Sequence, residues 1–428
     1  KAIYNSDHYD LHHISIKLSL SNQNIKTIRT NIVRKNQTFF KNNLIIEYQY
    51  CEVNECLKNR TFTFRNVSLN VESLQISNNQ IEFLSNRTFN GLQNLRELNV
   101  ANNKLLYIES NAFESLTNLI SLDLSRNPDL TNIDPNAFFG LDQLCILNIA
   151  NSKLNMIAGK MFSHLKSLET LDLAISTHLE EIEDYGFDGL TNLIKLDLSI
   201  AIPLSIIGER SFYGLTNLKY LRFEQSKSLS IVSIKKILIH LDRLESLEIN
   251  NIDLENIGYD LFSNLGKLKI LILVKCKIKS ISLKHAFNGL NNLEELRLGS
   301  NTFGILNEYS FSSLNQSRLK ILDLNFCGIK VIESGAFYGL DHLRELTLSR
   351  NLLESIDQFI FVGLPNLTTL LLSTFSINQI ELNSFYGLEN LKHLDLSSIS
   401  VYEILNHTFL HLSGVQSLRM GVSNFACL

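Results

Sequence analysis

The sequence predicts an α/β-type solenoid, a horseshoe of stacked coils with a parallel β-sheet on its concave face and irregular or short helical segments on its convex side. The stretch Leu343 to Leu364 has apolar residues at Leu343, Leu346, Leu348 and Leu353 and an amide at Asn351; Ile356, Phe361 and the pair Gly363-Leu364 follow. The same pattern reopens at Val71, Leu95, Leu119, Leu144, Leu168, Leu193, Leu218, Leu244, Leu268, Leu293, Leu319, Leu367, Leu391 and Val415, a spacing of roughly 24 to 26 residues that marks a repeat architecture.

One copy shows why the pattern folds this way. Alternate side chains of a strand point to opposite faces, so Leu346 and Leu348 turn inward while Glu345, Thr347 and Ser349 turn outward. Each copy brings its own return segment, so successive strands run the same way and pair in parallel. A single coil cannot bury its apolar seam, and stacking closes the core between neighbours. Phe361 and its counterparts Phe89, Phe113, Phe138, Phe162, Phe187, Phe212, Phe262, Phe287, Phe311, Phe337, Phe385 and Phe409 fill the convex side of that core.

Composition agrees with a folded chain: 45% hydrophobic, 19% charged, net charge −4 and mean hydropathy +0.05. So small a net charge argues against a nucleic-acid partner, for which a basic excess is expected. No apolar run reaches the roughly 18 residues of a membrane span. Without an initiator Met, the chain reads as a processed or truncated product. Residues 1–13 form a polar lead-in, where His8 and His12, with His13, Asp7 and Asp10 nearby, are a candidate metal cluster only if helical; a solvated lead-in is the simpler reading, and no metal or cofactor is expected. Residues 14–70 read as divergent N-terminal cap repeats. One opens at Ser15 with Leu18, Leu20, Ile25 and Ile28, and a second at Asn43 with Ile46, Tyr48, Cys51 and Val53. The regular repeats occupy 71–414, and 415–428 hold the last strand and the truncated start of a C-terminal cap.

The Asn position is informative because a side-chain amide there can bond the buried backbone of the bend. Asn79, Asn103, Asn127, Asn301 and Asn351 supply it. Ser152, Ser176, Ser226 and Ser423 replace it in part, Cys276 and Cys327 are small alternatives, and Ala201, Ile252, Phe375 and Ile399 cannot. The middle of the array should therefore carry a looser ladder. The copies opening at Leu119, Leu168, Leu193 and Leu218 have one extra residue just after this position, predicting small bulges.

With these residues on the page, the chain resembles the typical 24-residue class of extracellular leucine-rich repeat proteins. The phrasing at Asn136 to Leu147 and Gly335 to Leu348 is similar to that of Toll receptor ectodomains and insect secreted leucine-rich immune proteins. The resemblance covers roughly residues 15 to 428 and is strong for fold but weak for function. It implies secretion or a cell-surface location, glycosylation, and binding of a protein ligand or microbial surface molecule, with pairing to another repeat protein as homo- or heterodimer. It favours a disulfide between Cys51 and Cys56, although Cys51 also fits a buried thiol at the Asn position. SNFACL at Ser423 to Leu428 resembles the start of a cysteine-rich C-terminal flank, with Cys427 its first cysteine, so the natural protein is expected to continue. Sequons stand at Asn36, Asn59, Asn66, Asn86, Asn315, Asn366 and Asn406, leaving the interval between Asn86 and Asn315 free of them.

A binding function belongs on the outward strand face, where side chains of many coils converge. Its fifth positions are often acidic (Asp123, Asp172, Asp197, Glu248, Asp323, Asp395), read as solvated consensus carboxylates or, less simply, a groove for a basic ligand. The copy opening at Leu268 breaks the rule with Ile270, Ile272 and Val274. Tyr220, Arg222 and Glu224 lie on one side and Glu295 with Arg297 on the other. An apolar centre flanked by aromatic and Arg residues has hot-spot composition, and this is the candidate partner site; packing against a neighbouring loop is the alternative. No nucleophile elbow, phosphate loop, HExxH or paired CxxC occurs. His164, His240 and His411 read as turn substitutions, and Cys145, Cys276 and Cys327 as buried thiols, so an enzyme is not expected. The function expected is innate-immune recognition, Toll-like or secreted; the alternative is a cell-adhesion or developmental receptor ectodomain binding a cell-surface protein.

Overall fold

In the computed structural model, the described residues are 71–421 except 87, 227, 256, 259, 375, 402, 403, 405 and 406, together with the strands Ile16–Ser19, Thr38–Lys41, Leu44–Tyr48 and Phe62–Arg65. The chain divides into two compact units, residues 1–196 with 210–215 and residues 197–209 with 216–428. Each is a parallel-strand solenoid.

In the first unit the strands Val71–Gln75, Glu97–Asn99, Ser121–Asp123, Ile146–Asn148 and Thr170–Asp172 pair in sequence order and in parallel. The register matches position for position: Leu98 faces Leu122, Leu122 faces Leu147, and Leu147 faces Leu171. All four are buried, as a repeating inward leucine requires. A second ladder of two-residue strands, Phe83–Leu84, Tyr107–Ile108 and Asn132–Ile133, closes the return side of these coils. Between the ladders Phe89, Phe113, Phe138 and Phe162 stack with centroids 5.7 to 6.1 Å apart, within the range of favourable offset pairs.

The N-terminal segment departs from expectation. Ile16–Ser19 does pair in parallel, directly with Val71–Gln75. The copy expected to open at Asn43, however, is not a coil: Leu44–Tyr48 is the central strand of an antiparallel three-stranded sheet, between Thr38–Lys41 and Phe62–Arg65. Sequence is consistent with this pairing, since only two residues separate Thr38–Lys41 from Leu44–Tyr48, whereas parallel pairing needs a crossover of about a dozen or more. Cys51, Cys56, Cys427, the His8–His12 cluster and the sequons at Asn36, Asn59, Asn66 and Asn406 lie outside the described residues.

The second unit repeats the parallel ladder through Tyr220–Glu224, Ser246–Asn250, Ile270–Ile272, Glu295–Arg297, Ile321–Asp323, Glu345–Thr347, Thr369–Leu371, His393–Leu396 and Ser417–Met420. Its return side includes two short helices. Ile231–Leu238 begins where the Ser230 hydroxyl accepts the Ser233 N–H at 3.1 Å, buries Ile234, Ile237 and Leu238, and places Lys235 and Lys236 in its last turn. Cap, apolar face and dipole complement all agree with helix there. The other helix is Ser280–Ala286. Among the described residues no helix is long and apolar enough to cross a membrane.

The bend after each sheet strand follows the sequence closely. Asn103 donates to Val100 O at 2.8 Å and Ile76 O at 3.1 Å and accepts from Ile81 N–H at 3.0 Å, joining two coils through one amide. Asn301 does the same for Leu298 O, Leu273 O and the N–H groups of Cys276 and Ile278. The Cys276 and Cys327 thiols take over the donor half, reaching Ile249 O at 3.0 Å and Leu298 O at 3.2 Å. The ladder thins elsewhere as expected. Ser176 keeps one bond, to Leu173 O, and the buried hydroxyls of Ser152 and Ser226 have no partner among the described residues. The four copies with an extra residue absorb it in tight turns: Leu130, Leu179, Leu204 and Leu229 donate to the carbonyls three residues back at 3.0 to 3.1 Å.

Candidate functional site

The outward sheet face of the second unit is built from three rows. Register places Tyr220, Ser246, Ile270 and Glu295 in one row, and Arg222, Glu248, Ile272 and Arg297 in the next. Glu224 lies beside Asn250 in the third, and Val274 follows in the next coil. All eight residues singled out by sequence therefore fall on one face, on the strands Tyr220–Glu224, Ile270–Ile272 and Glu295–Arg297 and at Val274, two residues past Ile272. Ile270, Ile272 and Val274 are half-buried, whereas Tyr220 is 45% exposed.

The electrostatics refine the hot-spot reading. Arg222 is held by three carboxylates: Glu224 at 3.0 Å, Glu248 at 3.1 Å and Asp197 at 3.7 Å. Arg297 pairs with Glu295. That bond pushes its guanidinium further above the ordinary Arg range, with the charges of Asp323 and Glu345 adding to the effect. Neither cation is a free anchor. Together they hold carboxylates in fixed positions around an apolar centre at Ile272.

Sequence reading missed what the fifth-position carboxylates do. Asp123 Oδ1 accepts the N–H of Ser125 at 2.9 Å, and Asp172, Asp197, Asp323 and Asp395 do the same for the residue two further on, each at 2.9 Å. Asn99 and Asn148 replace them in their own coils. Their recurrence is thus structural: each satisfies a backbone donor at the end of a short strand. Where the fifth position is apolar, the preceding coil supplies the acceptor. Asn250 Oδ1 takes the Val274 N–H at 3.0 Å beside Ile272, and Ser349 Oγ takes the Ser373 N–H at 3.1 Å beside Leu371. An apolar residue at this position therefore comes with a dedicated substitute acceptor.

Nothing catalytic assembles among the residues noted. Cys276 and Cys327 are buried as expected, and burial pushes their thiols up to about 12; Cys145 is instead only half-buried, and partial burial with the nearby Glu169 raises it, so none is poised as a thiolate nucleophile. His164 and His411 pack edge-on against Phe139 and Tyr386 at 5.2 and 5.0 Å, as turn substitutions would. No group of three metal-ligating side chains occurs among the described residues.

These features define a repeat-solenoid scaffold whose sheet face displays side chains from many coils. A model of the BspA type leucine-rich repeat region matches residues 58–194 and 180–318, and a leucine-rich repeat model matches 317–374. The chain belongs to the leucine-rich repeat family. Toll-like receptor 3 of Boselaphus tragocamelus is 31% identical over 113 residues, 26% of this chain and 12% of that protein. CD180 antigen of Mus musculus is 38% identical over 95 residues, 22% of this chain and 14% of that one. The matched segments thus span a small part of either relative. Among solved structures, Toll in the glycosylated Toll–Spatzle complex of Drosophila aligns with a TM-score of 0.63 at 19% identity, covering 83% of this chain and 48% of Toll, a likeness of fold alone.

Proposed function

We propose that this chain is a non-enzymatic extracellular recognition module, secreted or displayed at the cell surface, that binds a protein ligand through the sheet face centred on Ile270, Ile272 and Val274. The observation that carries the reading is the apolar break at Ile272 between Glu248 and Arg297 of the same row, with the backbone donor it would orphan satisfied from Asn250. Tyr220 supplies an exposed aromatic edge, and Arg222 with Glu224 and Arg297 with Glu295 form a polar rim of fixed charge, the arrangement that excludes water around a binding centre. The likeness to Toll-like receptor 3 and CD180 antigen favours innate-immune recognition, with pairing to another repeat protein as one mode of assembly.

The test is to present the intact chain to an array of extracellular proteins, including this chain itself, and to measure affinity for each binder retrieved. Ile272→Asp, which restores the consensus carboxylate, is expected to leave circular dichroism and melting nearly unchanged. It should weaken binding more than tenfold, about 1.4 kcal/mol or more. Unchanged affinity for every binder would remove this face from consideration.

A further inference from the structure

We propose that the second unit carries a separate site for an acidic carbohydrate, one bearing sulfate or phosphate groups, at the start of its strands. A groove of about 690 Å³ lies there, bordered by Arg318, Lys320, Arg344 and Lys392. In the four coils opening at Leu319, Leu343, Leu367 and Leu391, the residue before the opening leucine and the residue after it line the groove. The volume falls within the range of small-ligand sites. Its walls span four neighbouring coils, roughly 14 Å at the usual strand spacing.

The charge balance is local. Lys320 pairs with Glu294 at 2.7 Å, but Arg318, Arg344 and Lys392 make no salt bridge with any described residue. Earlier coils cancel such charge along the same rim, where Glu245 sits between Lys219 and Lys269. Glu294 offsets Lys320 and, through its field, Arg318, whereas Arg344 and Lys392 are left without a carboxylate partner among the described residues, and a bound anion gains charge-assisted hydrogen bonds from these two. The net charge of −4 conceals this patch, because a sum over the chain says nothing about where the cations gather.

The remaining lining decides the ligand class. Asn366 and Asn390 each use one amide N–H on the coil before, donating to Asp341 O and Pro365 O at 2.8 Å, and keep the other for a ligand. The Thr368 hydroxyl donates to Arg344 O at 2.9 Å and has its oxygen left to accept from a ligand hydroxyl. Hydroxyl-rich sugars match these groups. Apart from the imidazole of His342 no ring lines the groove, so the stacking platforms on which single-stranded nucleic acids depend are missing. Asn366 also heads a sequon, and a glycan there would cover the groove.

The experiment therefore uses the full chain with Asn366→Gln. It titrates a sulfated heparin-derived oligosaccharide, a phosphate-bearing teichoic acid fragment, a desulfated control and an RNA homopolymer at physiological salt. Binding of either acidic saccharide is expected, with the stronger arm identifying the anion. Arg344→Glu with Lys392→Glu should weaken it at least tenfold without shifting the melting temperature, whereas Lys166→Glu with Lys195→Glu should not. Failure of both acidic saccharides to bind, equal binding of the desulfated control, equal loss from the control pair, or preference for RNA would each overturn the assignment.

Discussion

Asn250 Oδ1 accepts a 3.0 Å hydrogen bond from the backbone N–H of Val274 in the following coil, while its own amide donates to Glu248 at 2.5 Å. In coils with a fifth-position Asp the equivalent donor is satisfied from within. Asn250→Ala should therefore orphan the Val274 N–H and cost about 1 to 3 kcal/mol. Adding Ile272→Asp should restore much of that loss, because the new carboxylate stands where Asp323 serves Asn325. Urea midpoints of the two single variants and the double variant measure the coupling. Strictly additive effects would refute the exchange of acceptors.

Leu271 and Ile272 are adjacent but face opposite ways, the first fully buried and the second half-exposed. Leu271→Ala should cost about 2 to 5 kcal/mol through lost burial and a cavity. Comparison with Ile272→Asp in the same denaturation assay checks the strand alternation directly.

Ile175 adopts φ +61° while 41% exposed. A β-branched residue is poorly suited to this left-handed region, where a non-glycine residue costs about 1 to 2 kcal/mol and Asn is better tolerated. Asn151 and Asn251 occupy the equivalent position at φ +60° and +57°. Ile175→Asn should accordingly raise the melting temperature, and an unchanged or lower value would show that the bend is not strained there.

Two glycines with positive φ make a controlled pair. A Cβ on Gly189 would sit 2.6 Å from the Ser163 carbonyl oxygen, while one on Gly304 would meet nothing within 4 Å. Both replacements by Ala carry the conformational penalty, but only the first forces backbone apart. Gly189→Ala should lower the denaturation midpoint clearly more than Gly304→Ala.

Cys276 links stability to pH. Burial raises its thiol to about 12 against an ordinary 9.0. The folded state thus holds the proton more tightly than the unfolded state. The resulting stability is complete below pH 9 and is lost as pH rises through about 12. Cys276→Asn, which installs the residue that serves at Asn301, should remove this part of the alkaline loss and leave neutral stability equal or higher. The difference between the two stability curves from pH 8 to 11 tests it.

The ladder, the phenylalanine stack and the turns after Asn127, Ser176, Ala201 and Ser226 were legible in the sequence because each rests on residues at fixed offsets within one coil. The sheet around Leu44–Tyr48 was not, since Ile46 and Tyr48 alternate as a coil strand would and only their partners differ. Fifth-position Asp looked merely solvated because its bond is to backbone, which leaves no complementary residue to find. The residues of the candidate face could be gathered from repeat register, but not the caging of Arg222, which depends on side-chain reach across adjacent strands. The cations at Arg344 and Lys392 carry no such signal, because they flank the opening leucine and not the outward strand positions, and their gathering depends on the stacking of four coils.

Coils with a fifth-position Asp satisfy the donor two residues on from within, but the turns headed by Leu268 and Leu367 borrow that acceptor from their predecessors. Duplication, deletion or shuffling of repeats is thus less constrained at this donor where a coil supplies its own Asp, yet must carry the pairs beginning at Leu244 and Leu268 and at Leu343 and Leu367 as inherited blocks.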